Sequence, residues 1–187
     1  MDHTKTAGDY STVAKLLHWS IVVLLIAQFS VAWTMPDISR GTVPTGLIGW
    51  HLSIGTTILA VAFLRLAWRL FHPAPGAPPA LSRALQLLSR ATHYGLYALL
   101  LILPLMGWMN ASARGWPVRL FGMVSLPTLV TKGSTLGMQM GDLHATAAII
   151  LLAVIALHVA GALYHALVLR DRTLQRMIWA ARRDGAA

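Results

Sequence analysis

Four long apolar runs dominate this sequence and restrict what it can fold into. They cover approximately residues 16–35, 51–71, 93–111 and 143–169, and a helix that crosses a bilayer needs about 20 mostly apolar residues. Hydrophobic residues make up 56% of the chain and charged residues only 11%, against about a quarter charged in soluble domains. The first run exceeds the ~7–15-residue core of a secretory signal, so we interpret it as a retained helix. We therefore predict an all-α integral membrane four-helix bundle forming a single membrane-embedded domain over residues 1–187.

The Lys and Arg residues predict which helix ends face the cytoplasm. If both termini are cytoplasmic, eleven of these residues lie on the inner side and four on the outer side. Cytoplasmic loops are enriched in Lys and Arg, so this asymmetry predicts both termini inside. The formal charge of +9 is accordingly interpreted as topology rather than nucleic-acid binding. The inner group is Lys5, Lys15, Arg65, Arg69, Arg83, Arg90, Arg170, Arg172, Arg176, Arg182 and Arg183, and the outer group is Arg40, Arg114, Arg119 and Lys132.

Six of the eight histidines fall on or beside the predicted helices, and four of them can be paired by depth. His144 and His158 lie 14 residues apart on the fourth helix, which places them within about 40° of one face and about 21 Å apart along the axis. His18 lies near the inner end of the first helix and His51 at the outer start of the second. Depth therefore pairs His51 with His144 and His18 with His158. Each pair joins two helices, as a haem inside a bundle requires.

The residue types around these pairs favour haem over other metal sites. The chain has no cysteine, which excludes covalent haem attachment through Cys-x-x-Cys-His and Cys-ligated iron–sulfur clusters. All six acidic residues are aspartates outside the apolar runs, so a His pair lacks the further ligands of a zinc site. A porphyrin leaves only two axial positions to fill, and Gly55 and Gly161 leave space for a flat macrocycle. We predict two non-covalent, bis-histidine b-type haems, although a single such histidine would more often be a hydrogen-bonded interior residue.

Two arginines lie at the level of the inner pair. Arg65 follows His51 by 14 residues, so it lies on the same face of the second helix and about 21 Å deeper. We predict that Arg65, together with Arg69, meets a propionate of the inner haem through bidentate hydrogen bonds. The alternative is contact with lipid phosphates at the helix end.

Two further histidines lie on the inner side. His93 begins the third apolar run and is the alternative partner of His18. His165 follows His158 by seven residues, on the same face and about 10 Å nearer the cytoplasm. This position is too far along the helix to ligate the same iron, and it suits a polar pocket beside the inner haem.

Several stretches resemble the prokaryotic di-haem cytochrome b-561 family over most of the chain. The histidine spacing on the fourth helix is also similar to that in the cytochrome b subunits of formate dehydrogenases and nickel–iron hydrogenases. The resemblance implies haem-iron ligation by His18, His51, His144 and His158, electron exchange with ubiquinone, and location in the bacterial inner membrane. The stretches are His18–Trp19, the Trp-His-Leu-Ser-x-Gly from Trp50 to Gly55, the residues His93, Tyr97, Leu103 and Pro104, and the series His144, His158 and His165.

The short stand-alone branch of that family includes an enzyme that oxidises superoxide and reduces ubiquinone, and this chain resembles it more than the larger dehydrogenase subunits. The first hypothesis is therefore a superoxide:ubiquinone oxidoreductase. Arg114, Arg119 and Lys132 would attract superoxide on the outer side. His165 and His93 would line an inner quinone pocket.

Two other functions are alternatives to this hypothesis. An electron-relay cytochrome b subunit would connect an outer dehydrogenase or a soluble cytochrome with the quinone pool. A His-lined proton or metal transporter would be expected to use intramembrane carboxylates, which the apolar runs lack. The expected partners are membrane lipid, quinone, and superoxide or a redox protein, with no nucleic acid, and small residues on exposed helix faces are compatible with a homodimer.

Overall fold

The chain folds into four long helices, which confirms the predicted all-α membrane architecture. A computed structural model describes residues 10–39, 41–73 and 82–178. The helices are α1 (Thr12–Thr34), α2 (Leu47–Phe71), α3 (Arg83–Arg114) and α4 (Thr135–Tyr164), and α4 continues through a π-helical turn at His165–Leu169. Each is long and apolar enough to span a bilayer. Lys5, Arg40, Arg182 and Arg183, which enter the predicted charge asymmetry, lie outside the described residues.

The helices begin earlier than the apolar runs predicted. α3 begins at Arg83 rather than near residue 93, and α4 begins at Thr135 rather than near residue 143. The first turns of α3 and α4 contain too many polar residues to be predicted as parts of a membrane-spanning helix. They are helical because Ser82 and Ser134 cap them, each hydroxyl accepting a hydrogen bond from a backbone N–H three residues later.

Each helix packs against its neighbour in sequence, α1 on α2, α2 on α3 and α3 on α4. α4 crosses the bundle opposite α1 and α2, and the facing histidines described below lie in the space between them. The interior contains a small apolar cluster, whereas large apolar side chains such as Phe71 and Ile149 are exposed on the outside, as a lipid-facing surface requires. The cluster consists of Ile21, Ile54, Ile58, Ala62, Leu100 and Leu151.

The connection between α3 and α4 is a folded layer over one end of the bundle, hereafter the loop end. It contains a two-stranded antiparallel hairpin, β1 (Arg119–Leu120) and β2 (Val124–Ser125). The hydroxyl of Ser53 on α2 is buried beneath the hairpin, accepts from the Phe121 N–H at 3.1 Å and donates to the Arg119 carbonyl at 2.9 Å. The layer is therefore fixed to α2.

The segment after α4 folds back onto α1 at the opposite end, hereafter the termini end. Lys15 Nζ donates to the Ile178 carbonyl at 3.1 Å, and the indole N–H of Trp19 donates to the Met177 carbonyl at 2.9 Å. These bonds place the beginning and the end of the described chain on the same side of the bundle.

The turn between α4 and this segment is organised by Asp171. One carboxylate oxygen of Asp171 lies 2.6 Å from Nδ1 of His165, and the other accepts from the Thr173 N–H at 2.8 Å. Burial raises the pKa of Asp171, but hydrogen bonds from Thr173 and His165 outweigh it, and the net pKa lies below its ordinary value. The turn is thus held by an ionised carboxylate.

Candidate haem-binding sites

The structure brings together the two histidines that were predicted to pair near the loop end. His51 on α2 and His144 on α4 face each other with ring centres 6.0 Å apart and ring planes 74° apart. They lie in a cavity that is lined by residues of all four helices. Most of its lining is apolar, including Phe29, Leu100 and Leu151. We call His51 and His144 the loop-end pair.

The orientation of His144 is fixed by α3. Nδ1 of His144 lies 2.9 Å from the Leu103 carbonyl, so Nδ1 carries the proton and Nε2 is left with a free lone pair. Gly107, one turn further along α3, makes this approach possible, because a Cβ there would lie 3.0 Å from Cε1 and 3.1 Å from Nδ1 of the imidazole. A metal-binding histidine ordinarily donates its second ring N–H to such an acceptor. The orientation of His144 therefore leaves Nε2 available to bind a metal.

The orientation of His51 depends on Gln28 of α1. The Gln28 amide nitrogen lies 3.2 Å from both ring nitrogens of His51. Gly55, predicted to leave space for the macrocycle, lines the cavity and also adjoins this amide, since a Cβ on it would lie 3.2 Å from Gln28 Nε2. Gly55 thus makes room for a protein side chain as well as for the cavity.

A second histidine pair lies towards the termini end. The ring centres of His18 on α1 and His158 on α4 are 6.2 Å apart and their planes are 70° apart. His93 on α3 also contacts His158, with ring centres 5.1 Å apart, and its Nδ1 donates to the Ser89 carbonyl at 2.7 Å. Gly161 was predicted to leave space for the macrocycle. It faces open space, since a Cβ added to this residue would have no other atom within 4 Å. We call His18 and His158 the termini-end pair.

Both pairs have the separation that two axial haem ligands need. An imidazole nitrogen binds a metal at about 2 Å and lies about 1 Å from its ring centre, so two rings sharing one iron have centres about 6 Å apart. The observed 6.0 Å and 6.2 Å agree with that value. Within residues 10–39, 41–73 and 82–178, no group of three or more His or Asp side chains is arranged to hold a metal ion directly. Each pair offers the two ligands that a porphyrin leaves unfilled.

Arg65, predicted to meet a haem propionate, lies close to the termini-end pair. Its charge is within electrostatic reach of both His18 and His158, and Nη1 donates to the Ala14 carbonyl at 2.7 Å. Arg65 and Arg69 line a second cavity at the termini end. Arg69 lies over the ring of Tyr10, 5.7 Å from its centre. The guanidinium of Arg65 retains N–H groups that could meet an anion in this cavity.

The two predicted quinone-pocket residues lie in different surroundings. His93 is exposed beside His158 on α3, whereas His165 is bound to Asp171 at the end of α4. Neither lines the two cavities described above. His93 is therefore exposed on the surface of α3, and His165 belongs to the turn that follows α4.

The three cations predicted to attract an anion all lie in the loop-end layer or at its edge. Arg114 donates from Nε to the Asn110 side-chain oxygen at 3.0 Å and stacks over Trp116. Lys132 packs along Gly115, and Arg119 is exposed in β1. Arg119 and Lys132 are thus the cations of this set that are exposed and have no side-chain hydrogen bond among the described residues.

Comparison with known proteins assigns the family. The family model for the prokaryotic cytochrome b561 matches residues 9–180. The chain is 28% identical over 185 residues to cytochrome b561 homolog 2 of Escherichia coli K12, covering 95% of each chain. It is 30% identical over 173 residues to a probable superoxide oxidase, CybB, of Yersinia pestis, covering 90% of this chain and 95% of the relative. It is 28% identical over 177 residues to cytochrome b561 homolog 1 of Escherichia coli K12, covering 90% and 96%.

These matches span nearly the whole described chain, including every helix that carries a paired histidine. They agree with the four apolar helices and with the predicted family, haem type and inner-membrane location. The chain belongs to the prokaryotic cytochrome b561 family, and it is a multi-pass electron-transfer protein of the bacterial inner membrane that binds b-type haem.

Proposed function

We propose that this chain is a di-haem cytochrome that oxidises superoxide at the loop end and reduces ubiquinone at the termini end, with both termini cytoplasmic. The observation that carries the proposal is the presence of two facing histidine pairs at different depths in the bundle, each with ring centres about 6 Å apart. The excess of Lys and Arg at the termini end supports the orientation.

The axial ligands in this proposal are the loop-end pair and the termini-end pair. His144 is oriented by the Leu103 carbonyl, which leaves its Nε2 for iron. His158 rather than His93 is assigned as the partner of His18, because the His18 and His158 ring centres lie 6.2 Å apart, as a shared iron needs. His93 instead contacts His158, and their ring centres, 5.1 Å apart, are too close for an iron between them. A haem held by two of these imidazoles would supply outer-sphere one-electron transfer, because both ligand positions that the porphyrin leaves would be filled by histidine.

The protein side chains then supply binding and orientation. Arg65 is placed to neutralise a haem carboxylate at the termini end, within the second cavity. The apolar lining of the loop-end cavity excludes water from its pair and favours a flat hydrophobic ligand. The two cavities therefore differ in their lining, which is mostly apolar around the loop-end pair and includes two arginines at the termini end.

The overall reaction balances as two superoxide ions losing one electron each to give two O₂, while one ubiquinone takes up two electrons and two protons to give ubiquinol. The exposed guanidinium of Arg119 supports superoxide attraction at the loop end. The name of the Yersinia pestis relative, a probable superoxide oxidase, supports the same donor. His93, exposed beside His158, and His165 are the candidate quinone contacts at the termini end.

The test is stopped-flow spectroscopy of purified, detergent-solubilised protein mixed with a superoxide pulse, in the presence of ubiquinone. We expect fast, saturable reduction of the haem absorbance bands, and a slower reaction at high ionic strength because a charge-steered encounter is screened by salt. Arg119→Gln should lower the second-order rate several-fold. The matched control is Arg90→Gln, which removes an exposed arginine at the opposite end and should leave the rate unchanged.

A slow and unsaturable response to superoxide would overturn the donor assignment. If the same preparation were then reduced rapidly by a co-purifying dehydrogenase or soluble cytochrome, the electron-relay function would replace it.

A further inference from the structure

Gln28 is a polar side chain within the apolar bundle whose hydrogen bonding is incomplete. Its amide oxygen is buried and has no hydrogen-bond partner among the described residues. Its amide nitrogen lies against both ring nitrogens of His51. A buried amide oxygen without a partner destabilises a fold, so such groups are uncommon unless they serve a ligand.

The chemistry of an imidazole ligand indicates what that oxygen is for. Once Nε2 of His51 binds a metal, Nδ1 carries the proton and becomes a hydrogen-bond donor. The Gln28 NH₂ group is also a donor, so it cannot accept from Nδ1. The amide oxygen can accept, and a half-turn of the terminal torsion exchanges oxygen and nitrogen with little displacement of the rest of the side chain.

We propose that Gln28 is a positioning residue whose amide oxygen accepts a hydrogen bond from Nδ1–H of His51 when His51 is a haem ligand. The inference rests on the assignment of His51 as an axial ligand in the proposed function. Through this bond Gln28 increases the electron-donating strength of the imidazole and so favours the oxidised iron.

His144, which faces His51, has a comparable hydrogen bond, but its acceptor is a backbone carbonyl. Nδ1 of His144 is held by the Leu103 carbonyl of α3, just as Nδ1 of His51 would be held by the Gln28 amide of α1. The backbone acceptor cannot be altered by a side-chain substitution, whereas Gln28 can. Gly55 preserves the position of the amide, since a Cβ there would lie 3.2 Å from its nitrogen. Gln28 is therefore the adjustable acceptor of the loop-end pair.

The experiment is a redox titration of the holoprotein followed by optical and low-temperature electron paramagnetic resonance spectroscopy. Gln28→Leu removes the acceptor with a side chain of similar size. We expect the ratio of reduced to oxidised loop-end haem at a fixed potential to rise about tenfold, which is about 59 mV for a one-electron couple. Gln28→Glu keeps an acceptor and strengthens it, so we expect a shift of the opposite sign. The low-spin ferric signal of that haem should change in both variants.

Thr56→Val is the matched control. Thr56 lines the same cavity, but its hydroxyl donates to the Leu52 carbonyl of its own helix, so its removal changes cavity polarity without touching an imidazole. We expect no change of either potential. If Gln28→Leu kept both haems and their potentials were unchanged, the role inferred for Gln28 would be wrong, but the assignment of His51 as a ligand would stand. Full haem content in His51→Ala would instead overturn the ligand assignment on which it rests.

Discussion

Replacement of Gly107 by alanine should weaken haem binding at the loop end although it adds only one methyl group. The Cβ of residue 107 would lie 3.0 Å from Cε1 and 3.1 Å from Nδ1 of His144, whereas unstrained contacts are about 3.5–4.0 Å. The imidazole must therefore shift by roughly half an ångström. It cannot do so freely, because Nδ1 is bound to the Leu103 carbonyl at 2.9 Å and that bond would lengthen beyond its favourable range.

The size of the effect follows from these two contacts. Loss of the hydrogen bond removes about 0.5–1.5 kcal/mol. The overpacking adds about 1–3 kcal/mol. Together they predict a loss of about 1.5–4.5 kcal/mol of binding free energy, or roughly 10- to 2,000-fold weaker haem binding. Alanine also stabilises the helix relative to glycine by about 0.8–1 kcal/mol, so α3 itself should not unfold.

The assay is competition for haem with an excess of a haem-scavenging apoprotein, with haem content read from the pyridine haemochrome spectrum. Gly95→Ala is the matched control, since a Cβ on that residue of α3 would meet Val154 at 3.9 Å, an ordinary contact. We expect Gly95→Ala to retain haem as the parent protein does and to be at least as stable. If Gly107→Ala lost haem no faster than Gly95→Ala, the role given to the α3 contact would be wrong.

Three further predictions concern the two ends of the bundle. Ser53→Ala leaves the Phe121 N–H without its partner, so hydrogen exchange in residues 116–134 should accelerate by the equivalent of about 1–3 kcal/mol, with haem content unchanged. Lys15→Met removes the charged donor to the Ile178 carbonyl and should increase proteolysis of the C-terminal segment by the equivalent of about 1.5–3 kcal/mol, whereas protection equal to the parent's would contradict the contact. Because the folded pKa of Asp171 lies below its ordinary value of 3.8, its stabilisation of the turn is complete above that pH and is lost as the pH falls through the lowered value. Hydrogen exchange of residues 171–178 should show that acid dependence in the parent and not in Asp171→Asn.

The helices and the facing histidines could be predicted from the sequence because both depend on simple periodicities. Apolar length identifies a spanning helix, and a 14-residue separation returns to nearly the same helical face, which is how His144 and His158 were placed. The starts of α3 and α4 were predicted too late. Those turns are stabilised by the serine caps Ser82 and Ser134 and by packing against other elements rather than by apolar composition.

The groups that orient the ligands were not predicted, since they depend on how the helices pack. Leu103 acts through its backbone carbonyl, which has no sequence signature. Gly107 could have been recognised as a glycine inside an apolar helix, but its contact with His144 depends on the register between α3 and α4. Gln28 could be recognised in the sequence as a lone amide in an apolar run. Its contact with His51 could not, because that histidine lies on another helix. Contacts between side chains on different helices can be identified only from the three-dimensional structure.

The most direct test of the account is the number of haems per chain in the parent protein and in its histidine variants, measured by the pyridine haemochrome assay against quantified protein. We predict two haems in the parent, one in His144→Ala, one in His158→Ala, and none in the double variant. A parent protein with a single haem, or single variants that keep the parent's full complement, would contradict the assignment of the loop-end pair and the termini-end pair as axial ligands.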